Sequence, residues 1–449
     1  MLKSPLDQPS GPVSRSEREG SSYQRDIPTA GSGQALRLRI PPTVDRPVRS
    51  LPHNAVSPAQ CDRGTSQPRD KEPSVAARII VPALLLFRLA LAGCARIRNP
   101  EGWSGSAVQG NSLFTGTTQG EIISLDKTSG ETIWRFGLQG EEDDRAIYGT
   151  PAVSSDSLYV GGYDGLLYAL TLDGDEKWIE RLDGPVVGGA ALFDGLLVVG
   201  SEVADPVDGN EGMVYGFDAE TGERQWRFPV EGKVWSTPAI SDGVVIFGSL
   251  DHRVYALSLT DGKRLWTFET GGAVAAAPVI ARGRAYVGSF DGVFYAINAS
   301  TGVEEWRFDG ASNWFWAQAV VAQGLVYAAS LDGNLYALGA TSGDLLWKLE
   351  TDGAIVGTPA IVHGDLIAVP SNDGRLRVAR LSDGILQDSC NIDEEIRTPL
   401  YEQDGMIYFG ARDKSIRAIS VSANGNPDEE WVHFTDKDDP VARDRIRAC

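Results

Sequence analysis

From residue 281 to 308 the chain reads ARGRAYVGSFDGVFYAINASTGVEEWRF, with three short runs, AYVGS, VFYAIN and EEWRF, in which large side chains alternate with small or polar ones. Alternation with period two over runs of this length predicts strands that turn one face to a core. Asp291-Gly292 separates the first two runs and Thr301-Gly302 the last two. Glycine at such points supplies the positive φ that a tight reversal needs. A fourth run, Ala275 to Ile280, comes just before, so a unit of roughly 40 residues carries four antiparallel strands, the size of one propeller blade.

The unit recurs. Gly-x-x-x-Trp closes it at Gly130/Trp134, Gly174/Trp178, Gly222/Trp226, Gly262/Trp266, Gly302/Trp306 and Gly343/Trp347, with steps of 44, 48, 40, 40 and 41 residues between successive tryptophans. Two further copies are degenerate: Gly384 is followed four residues later by Asp388, and Gly425 by Trp431, two residues late. Eight units are therefore expected. One four-stranded sheet of this size cannot bury both faces, whereas blades packed radially cover one another and leave only short outer edges. The sequence predicts an all-β, eight-bladed β-propeller of four-stranded antiparallel blades over residues 103–435. Trp134, Trp178, Trp226, Trp266, Trp306, Trp347 and Trp431 are expected to dock blade against blade as large apolar plates with one donor.

The remaining chain divides by composition. Residues 1–76 are rich in Pro, Ser, Arg and Gly with no apolar period, as expected of a disordered leader or of a start assigned too far upstream. Residues 77–94 hold an apolar run ending Leu91-Ala92-Gly93-Cys94, which resembles a bacterial lipoprotein signal with Cys94 as the lipidated residue. That implies an extracytoplasmic protein held to a membrane by a lipid anchor, with an uncleaved membrane anchor as the alternative reading of the same segment. Residues 95–102 read as a tether and 436–449 as a charged tail.

Charge narrows the choice of partners. The formal net charge is −20, but residues 1–100 hold 15 Lys and Arg against 8 Asp and Glu, leaving 26 against 53 in the rest. So acidic a body repels nucleic-acid phosphates and excludes sequence-independent DNA or RNA binding. The cysteines Cys61, Cys94, Cys390 and Cys449 have no zinc-ligand spacing and include no adjacent pair. The four histidines are scattered, with His53 in the leader, His252 in a turn and His363 and His433 in degenerate blades, so none forms a catalytic or metal-binding pair. The acidic insertion from Asp205 to Glu211 reads as a surface loop, with an incomplete spacing of oxygen ligands for Ca²⁺.

The TPAI and GxLYVGSxDGxLYAL runs, followed by TGxxxW, resemble the pyrroloquinoline quinone (PQQ) repeat family. Its eight-bladed propellers include quinoprotein alcohol dehydrogenases and non-catalytic lipoproteins of the BamB type. The resemblance implies the fold across 103–435 and two functions. In the dehydrogenases it implies PQQ held between a tryptophan and a disulfide of adjacent cysteines, beside Ca²⁺ ligated by Glu, Asn and Asp. The adjacent cysteines are missing here, and Asp164, Asp251, Asp291, Asp332, Asp373 and Asp413 recur blade after blade, as turn residues do and active-site residues do not. No cofactor, metal or catalytic residue is therefore assigned, and PQQ with Ca²⁺ is kept as the alternative.

Aligning the starts of the innermost strands puts Trp103, Tyr148, Val187, Trp235, Ala275, Phe315, Val356 and Ile396 in equivalent places, with Trp316 and Arg397 next in two of them. Small residues suit the converging strands, so Trp103, Tyr148, Trp235, Phe315, Trp316 and Arg397 stand out as a rim. Exposed aromatics with a cation are the composition of a protein-binding hot spot, and equally of a plug over the channel. The expectation is a non-catalytic scaffold for envelope or membrane proteins, engaged at the rim or by β-augmentation, in the manner of outer-membrane protein assembly. The alternatives are a PQQ-dependent dehydrogenase and a binder of polysaccharide or small ligands.

Overall fold

A computed structural model describes residues 104–141, 145–436 and 449, and every regular element among them is a β-strand. The 32 strands form eight separate four-stranded antiparallel sheets, each made of consecutive strands. Blade one comprises β1–β4 (106–137), two β5–β8 (152–181), three β9–β12 (191–230) and four β13–β16 (239–269). Blade five comprises β17–β20 (279–308), six β21–β24 (320–350), seven β25–β28 (360–391) and eight β29–β32 (401–434). Among the described residues no strand is shared across the closure of the ring: blades one and eight each contain four strands of their own.

Blade five shows how the sequence makes the unit. Its strands are Val279–Ala281, Arg284–Gly288, Phe294–Asn298 and Glu304–Phe308. The innermost strand is shorter than the apolar run Ala275 to Ile280 suggests. Pro278 has no N–H for a ladder, so the residues before it form the connector that enters the blade. The middle strands are buried on both faces, and Ala296 pairs with Trp306 across the outer ladder.

Each closing tryptophan serves the next blade rather than its own. The Trp266 ring lies on Gly302 of blade five, where an added Cβ would come 2.7 Å from the ring, and its Nε1 donates to the Ala299 carbonyl at 3.0 Å. The same pairing joins Trp134 to Gly174, Trp178 to Gly222, Trp226 to Gly262, Trp306 to Gly343 and Trp347 to Gly384. Trp431 of blade eight lies on Gly130 and donates to the Lys127 carbonyl of blade one at 3.1 Å, which closes the ring. These glycines therefore have two reasons to lack a side chain: positive φ, as with 73° at Gly302, and the neighbouring indole.

The repeated Asp-Gly aspartates do more than turn the chain. Asp291 accepts from the Val293 N–H at the turn, from the Tyr295 hydroxyl at 2.7 Å and from the Gly271 N–H of the connector that enters blade five. Asp251 and Asp332 repeat the arrangement with Tyr255 and Tyr336. Burial, then the hydrogen bond to Asp251, pushes the Tyr255 hydroxyl up to about 12, so it remains a neutral donor. In blades seven and eight arginine replaces the tyrosine: Arg377 pairs with Asp373 at 2.7 Å, and Arg417 pairs with Asp413 at 3.2 Å and with Glu429 at 2.7 Å.

One further feature departs from the sequence reading and another goes beyond it. The acidic insertion in blade three is a long hairpin rather than a loop: β10 spans Leu196–Val207 and β11 spans Asn210–Asp218, with a register shift between Glu202 and Val207. Cys390, buried in β28 (Leu386–Asn391), is disulfide-bonded to Cys449, so a residue of the charged tail is tied to blade seven.

Candidate functional site

The connectors that enter the blades and the turns between each blade's second and third strands lie at the same end of the ring, because antiparallel strands return there. Backbone bonds join the two sets. The N–H groups of Leu250, Phe290, Leu331, Asn372 and Arg412, all in such turns, donate to carbonyls of the connectors at Lys233, Ala273, Trp314, Ala354 and Glu395. These two rows of residues form the mouth of the channel.

The connector row differs by one residue from the sequence alignment in two blades. The N–H groups of Val274, Phe315, Ile355 and Ile396 donate to the carbonyls of Ser249, Ser289, Ser330 and Ser371, so these four are equivalent. Phe315 is consequently core, 1 % exposed, packed on Gly288 and edge-on to Phe294 at 5.4 Å, and it is not a rim residue. The reason is a connector one residue longer than its neighbours between Trp306 and Phe315. In blade eight, one residue fewer before Thr398-Pro399 hides the same equivalence. Trp316 and Arg397 are the true counterparts of Tyr148, Val187, Trp235, Ala275 and Val356. Trp103 and Cys94 lie outside the described residues.

One arc of the mouth is aromatic. Trp314 stacks on Phe290 with centroids 4.6 Å apart and planes 9° from parallel, and Phe290 stacks on Trp316 at 5.3 Å. Trp316 then meets Trp235 at 6.3 Å, tilted by 51°. The two tryptophans come from the connectors into blades six and four, and they meet because the residue between them, on the connector into blade five, is only Ala275. All four aromatics are half-buried. Trp235 is fixed from behind: its Nε1 donates to Glu202 at 2.8 Å, and the other oxygen of Glu202 accepts from Lys233 at 2.9 Å. Tyr148 stands apart from this stack, edge-on to the buried Tyr163 at 5.7 Å.

Arg397 belongs to a different arc. Its Nε donates to Glu395 at 2.7 Å, and the same carboxylate accepts from Arg412 at 2.8 Å. The six expected rim residues are thus divided: Trp235 and Trp316 meet, Tyr148 and Arg397 stand apart from that pair, Phe315 is buried, and Trp103 is not described. Phe290, Trp314, Glu202 and Lys233 complete the aromatic arc. Phe290 was legible as the residue before Asp291, had the turns been aligned as well as the connectors.

The donor set implied for PQQ does not fit. The described disulfide joins residues 59 apart at the junction of blades seven and eight, not adjacent cysteines at the mouth. The carboxylate of Glu202, beside the mouth tryptophans, already faces the ammonium of Lys233. Among the described residues no group of three or more His, Cys, Asp or Glu is placed to hold a metal ion.

Comparison with known proteins agrees with the fold and divides on function. A family model described as outer membrane protein assembly factor BamB matches residues 92–209, 179–277, 210–314 and 311–387. A quinohemoprotein alcohol dehydrogenase, ADH IIB of Pseudomonas putida, is 27 % identical over 128 residues, covering 26 % of this chain and 18 % of the relative. The outer membrane protein assembly factor BamB of Yersinia pestis is 29 % identical over 162 residues, covering 33 % of this chain and 39 % of the relative. The matched stretches therefore span well under half of either relative. The crystal structure of BamB from Moraxella catarrhalis superposes with a TM-score of 0.56 at 19 % identity, over 73 % of this chain and 96 % of that one, a likeness of fold.

Proposed function

Because the chain belongs to the repeat-propeller family described as outer membrane protein assembly factor BamB, we propose that it is an extracytoplasmic scaffold that binds envelope proteins concerned with outer-membrane protein assembly. The observation that carries this reading is the half-buried stack Trp314, Phe290, Trp316 and Trp235. Large rings held rigidly at a mouth lose little side-chain freedom on docking and offer the area typical of interaction hot spots. The outer edges offer a second mode of contact. Leu345 and Leu346 on blade six and Ile385 and Leu386 on blade seven are about half exposed on or beside edge strands, where a partner strand extends the ladder.

Two features support the location. A buried cysteine joined in a disulfide is the usual state in oxidising compartments outside the cytosol. The segment 77–94, with Cys94 as the lipidated residue, supplies export and a lipid anchor in this reading.

The test is to replace Trp235 and Trp316 with Ala and measure both binding to purified outer-membrane assembly proteins and the unfolding midpoint. Loss of binding with near-native stability is expected. Lowered stability with unchanged binding makes the stack a plug and overturns the reading. Dye reduction with alcohols or sugars after addition of PQQ and Ca²⁺ overturns it in favour of the dehydrogenase class.

A further inference from the structure

We propose that the mouth carries a second, chemically distinct site: a cationic cleft at the junction of blades eight and one that binds a phosphoryl group. Arg397, Arg412 and Lys414 line this cleft with Thr115, Thr117 and Thr118 of blade one. The proposal does not depend on the partner assigned to the aromatic arc.

Position-by-position comparison shows how blade eight departs from the repeat. The connector position filled by Val356 in blade seven is Arg397. The turn position filled by Leu250, Phe290, Leu331 and Asn372 in blades four to seven is Arg412. Two residues on, where blades five to seven have Gly292, Gly333 and Gly374 and blade four has His252, also at positive φ (70°), blade eight has Lys414. The three differences bring three cations to one cleft in a body whose charge is otherwise strongly negative.

Lys414 is the most telling of them. Its φ is 66°, in the left-handed region where glycine is at ease and a side chain is strained. A lysine that has only to turn the chain is worse there than the glycine of the neighbouring blades. The Lys414 ammonium lies 3.5 Å from Asp436, and the side chain is about half exposed.

Glu395 organises the other two. Shared between Arg397 and Arg412, it holds two like charges side by side in the lining of the cleft. Among the described residues, with Asp436 it leaves three cations facing two carboxylates. Two hydroxyls in the cleft donate inside the protein, Thr115 to the Gly105 carbonyl and Thr398 to the Gly410 carbonyl, while the Thr117 oxygen accepts from the Glu121 N–H. The charge that would recognise an anion comes from the three cations. A phosphoryl group has oxygens enough to meet all three, and arginine's fork matches it in pairs.

The test uses the full chain and inorganic phosphate at constant ionic strength, with chloride as the control, measured by isothermal titration calorimetry. Lys414→Gly is expected to raise the melting temperature by about 1–2 °C, through relief of the backbone, while weakening phosphate binding at least tenfold. Arg412→Leu, which installs the residue of blades four and six, is expected to weaken it similarly. Lys348→Ala, which removes one positive charge on blade six, is expected to change binding less than twofold. A parallel flotation with phosphatidylcholine vesicles containing phosphatidylglycerol identifies the source. Vesicle capture lost in the two cleft variants assigns a lipid headgroup, and binding of phosphate without vesicle capture assigns a free anion. The proposal is overturned if neither probe binds above the chloride control, or if both cleft variants bind as the parent does.

Discussion

Between blades five and six, Trp306 is 8 % exposed, lies on Gly343 and donates to the Ala340 carbonyl, while Phe308, two residues later, packs in the same cluster. Between blades seven and eight the corresponding residues are Asp388, exposed, and Cys390, buried. Gln387 covers Gly425 where a tryptophan would lie. The junction without the indole is the one where a described disulfide ties Cys390 to Cys449, closing a loop that contains all of blade eight. At the other side of blade eight, Trp431 is present, but the position of Phe308 is taken by His433, 3.4 Å from Arg135 of blade one. Every junction buries apolar area; the regular ones add the closing indole and its hydrogen bond, the one between blades seven and eight has a covalent link in place of the indole, and the one between blades eight and one has a polar contact beside its indole. Docking by repetition tolerates one defective copy when another constraint acts at the same place.

The contrast can be broken most forcefully at a regular junction. Trp306→Ala removes a buried indole from a glycine-lined seat and is expected to cost about 3–5 kcal/mol, read as a shift in the urea midpoint at unchanged slope. At the irregular junction, Cys449→Ser is expected to cost about 2–4 kcal/mol. Dithiothreitol should reproduce that loss in the parent and have no further effect in the variant. A parent indifferent to dithiothreitol would show that the disulfide does not stand in for the indole. Asp388→Trp, built to cover Gly425, is expected to return about 1 kcal/mol and to reduce the sensitivity to dithiothreitol.

The smallest expected effect concerns pH at the closure of the ring. Burial, and then the charge of Arg135, hold the His433 pKa below its ordinary value of 6.5. Unfolded, the imidazole takes up a proton near that ordinary value; folded, it does so only at lower pH. In the window between them the unfolded state binds more protons, so stability declines as pH falls through about 6.5 and levels off below the lowered folded value. His433→Phe, the residue of blade five at this position, is expected to remove this part of the pH dependence, measured by denaturant unfolding from pH 8 to pH 5.

The closing tryptophans and turn glycines were legible in the sequence because each recurs at nearly fixed spacing, and recurrence reports a shared structural duty. Their partners were not. Gly302 and Trp306 sit four residues apart, yet Gly302 seats Trp266 of the preceding blade and Trp306 seats on the next. The mouth was partly legible. Trp235 and Trp316 drew notice as large residues where small ones are usual, but Phe315 did so falsely, since a single extra connector residue turns a side chain from the mouth into the core.

By itself the amino-acid sequence determined the strand, the turn and the count of blades, because alternation and glycine placement act over a few neighbouring residues and repeat eight times. Only the tertiary structure decided which residues from different blades meet: Trp235 with Trp316 across Ala275, Arg397 with Arg412 through Glu395, and Cys390 with Cys449. Those pairings depend on the curvature of the closed ring and on connector lengths that differ by one residue. No local pattern encodes either, and both determine where a side chain points.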